Sequence, residues 1–148
     1  MDTIEEAAEA VADALKLAPN FMNSNIRLFI NHSSFDQAVS RSFKQGECIF
    51  QNDVFQIYAA DYGYQFISKV DRMSNAMVKG KEIQTKDRLD AVFYLHELIR
   101  FGFMGRSPTR KEVVALYPGD GLMPSVLEAI LDLVTQTYRE YYKAAPFA

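Results

Sequence analysis

Two histidines, His32 and His96, one cysteine, Cys48, and a close carboxylate pair, Asp87 and Asp90, are the residue types from which catalysis or metal binding would be built. The histidines lie far apart, and no H-E-x-x-H, G-x-S-x-G, P-loop or dinucleotide glycine pattern accompanies them. A lone cysteine excludes an internal disulfide and every multi-cysteine zinc framework. His96, beside Glu97 in an aromatic-rich segment, is a conceivable haem ligand, but its setting predicts a hydrogen-bonded structural residue. Cys48, followed by Ile49 and Phe50, reads as a small buried side chain, and Asp87 with Asp90 as surface charges. The chain is therefore expected to be a non-enzyme with no metal and no required cofactor, a non-covalent bilin or haem staying open.

The elements that must position these residues come from periodicity. At 148 residues, 49% hydrophobic and a formal charge of -3, the chain predicts one domain over 1–148. Its start is acidic, with Asp2, Glu5, Glu6, Glu9 and Asp13 and no base, the reverse of a signal peptide. The longest run without Asp, Glu, Lys or Arg is Leu17 to Ile26, about half of the roughly 20 apolar residues a membrane span needs. No membrane insertion and a cytoplasmic location are expected. Thr3 with Glu6 opens a helix carrying Ile4, Ala8, Val11 and Leu15, and a short helix is read over 20–33. Ser34 with Gln37 opens another, with Phe35, Ala38, Val39, Ser42 and Phe43 on one face and Gly46 as its stop.

From Val54 to Lys79 one 120° sector of a helical wheel holds Phe55, Tyr58, Ala59, Tyr62, Phe66, Val70, Met73, Ala76 and Met77, with Lys69 its one polar member. The phase predicts a long central helix bent at Gly63, against a rival hairpin of 54–60 and 64–70. A helix over 86–103 follows, with Leu89, Val92, Phe93, Leu95, Ile99 and Phe103 inward. Ser107, or in preference Thr109, opens a short helix through Val113, Val114 and Leu116. Pro124 starts the last, with Leu127, Ile130, Leu131, Val134 and Tyr138 inward. The sum is an all-α bundle of six to seven helices with one long central helix.

Such a chain is expected to bind rather than catalyse. Tyr138, Tyr141 and Tyr142, with Phe147, form an aromatic cluster at the C-terminus that either packs against the chain's own first helix or suits an interaction surface; a protein partner or self-association is expected. A small-ligand sensor with an apolar pocket among Phe55, Tyr62, Phe66, Phe93 and Tyr94 is an alternative. Arg106, Arg110 and Lys111 precede a helix, a turn and a helix, so residues 106–135 offer a helix-turn-helix reading. Nucleic acid is disfavoured, because the second helix carries no Arg or Lys before Arg139.

Phe43-x-x-Gly46-Glu47, Ala59-Ala60, Asp90-x-x-Phe93-Tyr94-Leu95 with Gly105 ten residues on, and Leu122-x-Pro124 with Ala129-Ile130 occur in an order that resembles the phycobiliproteins, the globin-like antenna subunits of phycobilisomes. The resemblance spans about residues 43 to 131 and implies a globin-like fold and a phycobilisome-related accessory or regulatory role. It implies that Asp90 faces a bilin's pyrrole nitrogens, that Arg88 approaches its propionates, and that Phe93 and Tyr94 lie in the same ligand site. The family's bilin-anchoring cysteine falls at Asp87, so a covalent bilin is not expected.

Overall fold

The computed structural model describes residues 32–53, 56–116 and 124–148. Its architecture is mostly helical. The helix expected over 3–15 and residues 20–31 of the one expected over 20–33 lie outside the described residues, as do Phe55 and Leu122, while His32 and Ser33 belong to the following helix. Five α-helices are described, fewer than the six to seven expected.

Helix α1 (His32–Gln45) ends where Gly46 takes φ +71°, a left-handed geometry that glycine adopts without steric cost. Ala38 faces the core as expected, whereas Val39 and Phe43 are exposed. Phe43 instead packs edge-on against Tyr58, with centroids 5.1 Å apart. Two short strands follow, β1 (Cys48–Gln51) and β2 (Gln56–Tyr58), paired antiparallel with Cys48 opposite Tyr58 and Gln51 opposite Gln56. This ribbon corrects the long central helix. The helical phase of the downstream segment runs back by coincidence through Tyr58 and Ala59, but β-branched and aromatic residues there pair as strands.

Helix α2 (Tyr62–Val78) is the true central helix, 17 residues long. Asp61 starts it by accepting a hydrogen bond from the Tyr64 N–H at 3.1 Å. Ser42 Oγ accepts from the Asp61 N–H at 2.8 Å, and Arg41 pairs with the Asp61 carboxylate at 3.5 Å, so α1 fixes where α2 begins. The end is a Schellman turn: Lys81 N donates to Ala76 O, Gly80 N donates to Met77 O, and Gly80 has φ +61°.

Helix α3 (Thr85–Glu97) passes directly into a π turn, Leu98–Gly102. Phe103 N donates to Leu98 O at 3.1 Å and Gly105 N to Ile99 O at 2.8 Å, which closes the widened turn. Val92, Leu95 and Ile99 are inward as expected and Phe103 is partly buried, but Leu89 and Phe93 face outward. Helix α4 (Arg110–Ala115) opens on a capping box of Thr109 and Glu112, and α5 (Pro124–Tyr142) closes the bundle. Central α2 packs on both α3 and α5. Phe66, Val70 and Met73 thereby meet Ala91, Leu95, Ile130, Leu131 and Val134 in one core. Each fully buried large apolar side chain contributes about 1.5–3 kcal/mol relative to exposure. The chain then turns back after α5, with Pro146 buried and Ala148 N donating to Pro108 O at 3.0 Å.

Candidate interaction site

The chemistry-bearing side chains among the described residues fall into three networks, and apolar side chains are exposed both around Phe43, Ile49 and Phe50, at the end of α1 and on the ribbon, and along an open face of α3. The first network answers why Lys69 stands in an apolar sector. Its ammonium reaches Asp90 at 2.9 Å and Asp87 at 3.3 Å, and Arg72 adds a second contact to Asp87 at 3.0 Å. Asp87 is buried and Asp90 half-buried, so the pair is a clasp between α2 and α3 and not a pair of surface charges. Burial opposes the charge on Lys69, but hydrogen bonds and charge interactions with Asp90 and Asp87 outweigh it and raise its pKa.

In the second network, His96 Nδ1 lies 2.9 Å from the Tyr138 hydroxyl, and its ring stacks on Tyr142 with centroids 3.9 Å apart and planes within 4°. His96 is therefore a hydrogen-bonded residue joining α3 to α5. This also corrects the expected tyrosine surface. Tyr138 is buried and Tyr142 half-buried against His96, leaving Tyr141 alone of the three exposed, at 67%. Burial raises the pKa of both Tyr138 and Tyr142.

The third network takes up the basic residues of the helix-turn-helix reading. Arg110 holds Glu128 at 2.7 Å and Asp132 at 2.6 Å, and its guanidinium lies 5.6 Å from the Phe147 ring centroid. Arg106 holds Glu112 at 2.8 Å, while Glu112 accepts from the Thr109 N–H at 2.7 Å. The Arg106 hydrogen bond, then those from Thr109, pull the Glu112 carboxyl down to about 2. Lys111 is exposed. Arg106, itself mostly exposed, and Arg110 are thus each paired with carboxylates of the same chain, which reduces the positive charge left for a phosphate backbone.

The residues that the phycobiliprotein resemblance assigns to a ligand are only partly brought together. Phe93 and Tyr94 touch edge to face at 5.5 Å, but Phe93 is 49% exposed and Asp90 is taken by Lys69; of the separate sensor pocket, Phe66 is sealed in the core. The Nε of Arg88 is buried with no hydrogen-bond partner among the described residues. Cys48 is exposed and not buried, with Sγ 3.0 Å from Phe50 O.

The open face is the outer row of α3 and its π turn. Leu89, Phe93, Glu97 and Phe101 follow one another at four-residue spacing, the row by which helices pack on neighbours. Three are apolar and exposed, at 37%, 49% and 54%, and Met104 just beyond is 92% exposed at φ +51°. Glu97 alone in this row is buried, and Arg100 donates to its two oxygens at 2.9 and 3.2 Å.

No family model, no curated protein and no solved structure matches this chain. The geometry of the site carries the functional argument.

Sequence reasoning missed this face because it placed Leu89 and Phe93 inward. Both lie in the regular helix ahead of the π turn; Ala91, Val92, Leu95 and Ile99 already fill the inward face, so apolar character alone does not place them. The clasp was more accessible: one lysine in an apolar sector, with two aspartates three apart on the next helix, is the pattern of a buried ion pair.

Proposed function

We propose that the chain is a non-enzymatic binding or regulatory protein that acts by protein–protein contact through the outer row of α3 and its π turn. The observation that carries this reading is the run of Leu89, Phe93, Phe101 and Met104 exposed to solvent along α3 and just beyond its π turn. Apolar side chains grouped in this way are a usual mark of a contact surface. Aromatic anchors such as Phe93 and Phe101 supply most of the energy in interfaces of this kind. Tyr141 extends the aromatic surface on α5, the part of the expected tyrosine cluster that faces solvent.

A globin-like arrangement of the bundle and an antenna-type assembly as its setting belong to the same reading, supported by the order of residues shared with phycobiliproteins over 43–131. Asp87 supports a role without a covalent pigment, since the position of the anchoring cysteine is occupied by a buried carboxylate that Lys69 and Arg72 hold. The double variant Phe93→Ser, Phe101→Ser tests the proposal. The unaltered chain is expected to sediment as a complex, with a partner or with itself, in its native extract, and the variant should keep its circular-dichroism spectrum but sediment as the free chain. Unchanged association would sink it.

A further inference from the structure

A cleft of about 310 Å³ opens where the end of α1, the start of α2 and the π turn meet, lined by Gln45, Glu47, Tyr62, Glu97 and Phe101. Its polar groups are largely committed. Gln45 Oε1 accepts from the Tyr62 N–H at 2.9 Å, Gln45 Nε2 donates to Ala60 O at 3.4 Å, and the Tyr62 hydroxyl donates to Glu47. Glu97 is neutralised by Arg100. No Lys or Arg among the described residues pairs with Glu47, so the cleft keeps one negative charge. The Tyr62 and Phe101 rings line it nearly parallel, 6.1 Å between centroids and 24° between planes.

Carboxylate oxygens beside aromatic rings are the surroundings in which a guanidinium is best held. Its planar fork matches carboxylate geometry, and its weakly hydrated face packs on a ring. Arg100 shows the pairing within this chain: it binds Glu97 and lies 5.1 Å from the Phe101 centroid. Phe101 also belongs to the exposed row of α3, so a partner laid along Leu89 and Phe93 would bring a neighbouring side chain to the cleft.

We infer that the partner of the α3 face presents an arginine, and that the Glu47, Tyr62 and Phe101 cleft receives its guanidinium. This rests on the proposed contact face and names the chemistry of what docks there. The occupant is a protein segment with apolar residues flanking that arginine.

The test is a nuclear magnetic resonance titration of the full chain with N-acetylarginine N-methylamide, using the citrulline analogue as its uncharged match and free arginine as a third probe. The arginine amide should shift the backbone signals of Glu47, Tyr62 and Phe101 in a saturable way that weakens with salt, and citrulline amide should not. Glu47→Gln, at an exposed position, should bind the arginine amide roughly fivefold more weakly, the scale of a partly exposed ion pair. Equal shifts from arginine and citrulline amides, shifts centred elsewhere, or no shifts overturn the inference. Free arginine binding more tightly than the blocked amide also overturns it, because the cleft would then serve a free metabolite. The probe carries no apolar flank, so its failure leaves the α3 face standing, whereas that face falls only with the serine variants at Phe93 and Phe101.

Discussion

Asp87 touches two cations from another helix, and that makes it the most informative single residue to change. Asp87→Ala leaves Lys69 with Asp90 alone and Arg72 with no carboxylate there. A fully buried pair costs about 3–5 kcal/mol to break, but Arg72 is mostly exposed and screened, so about 1–2 kcal/mol is expected from urea unfolding. Lys69→Met should cost a similar amount and should flatten the alkaline limb of stability. The raised pKa of Lys69 means that its contribution is whole below the ordinary 10.5 and is lost as pH climbs past it. At the acidic end the sign reverses. Glu112 titrates at about 2 in the fold against an ordinary 4.5, so its contribution is complete above about pH 4.5 and disappears on acidification toward pH 2. A carboxyl-carbon titration should show Glu112 still ionised at pH 3, and Arg106→Ala should move its midpoint upward. A Glu112 midpoint near 4.5 in the unaltered chain would refute the cap and pair assigned to it.

Single elements were legible where a local rule decides them and obscure where packing does. Thr109 as the opening of α4, Gly46 as the stop of α1 and Pro124 as the start of α5 are set by backbone hydrogen-bond needs, which sequence displays directly. The start of α2 was readable in principle, since Asp61 is a favoured capping type, but the apolar phase running back to Tyr58 masked it. The ribbon over 48–58 and the π turn over 98–102 depend on what they lie against, so periodicity alone misplaces them. Gly105 closes the π turn at φ +80°, where a side chain is strained even with no atom within 4 Å of its Cβ position. Gly105→Ala should therefore cost about 1–2 kcal/mol, and Gly105→Asn less, by thermal unfolding. Equal stability of all three would mean that the turn relaxes freely. Across α3 and α5, Tyr138→Phe removes the bond to His96 and should cost about 1 kcal/mol while preserving the ring stack of His96 on Tyr142.

For the whole molecule, most of the core was legible in the apolar rows of α5 and α2: Phe66, Val70, Met73, Ile130, Leu131 and Val134 were expected inside and are fully buried, although Met77 of the same α2 sector is exposed. The candidate site was read poorly. The C-terminal tyrosines looked like a surface, yet two of them complete the fold around His96, and the open apolar row lies on α3, where an inward face was expected. Composition counts apolar residues but does not say which of them the core has no room for. The central claim is that this surplus row meets a protein. It is tested most directly by placing a photo-cross-linking phenylalanine analogue at position 93 in the native cell, with the exposed position 111 of α4 as control. A discrete protein adduct from position 93 that is absent from position 111 is the predicted result; no adduct at 93, or equal yields at both positions, would contradict the account.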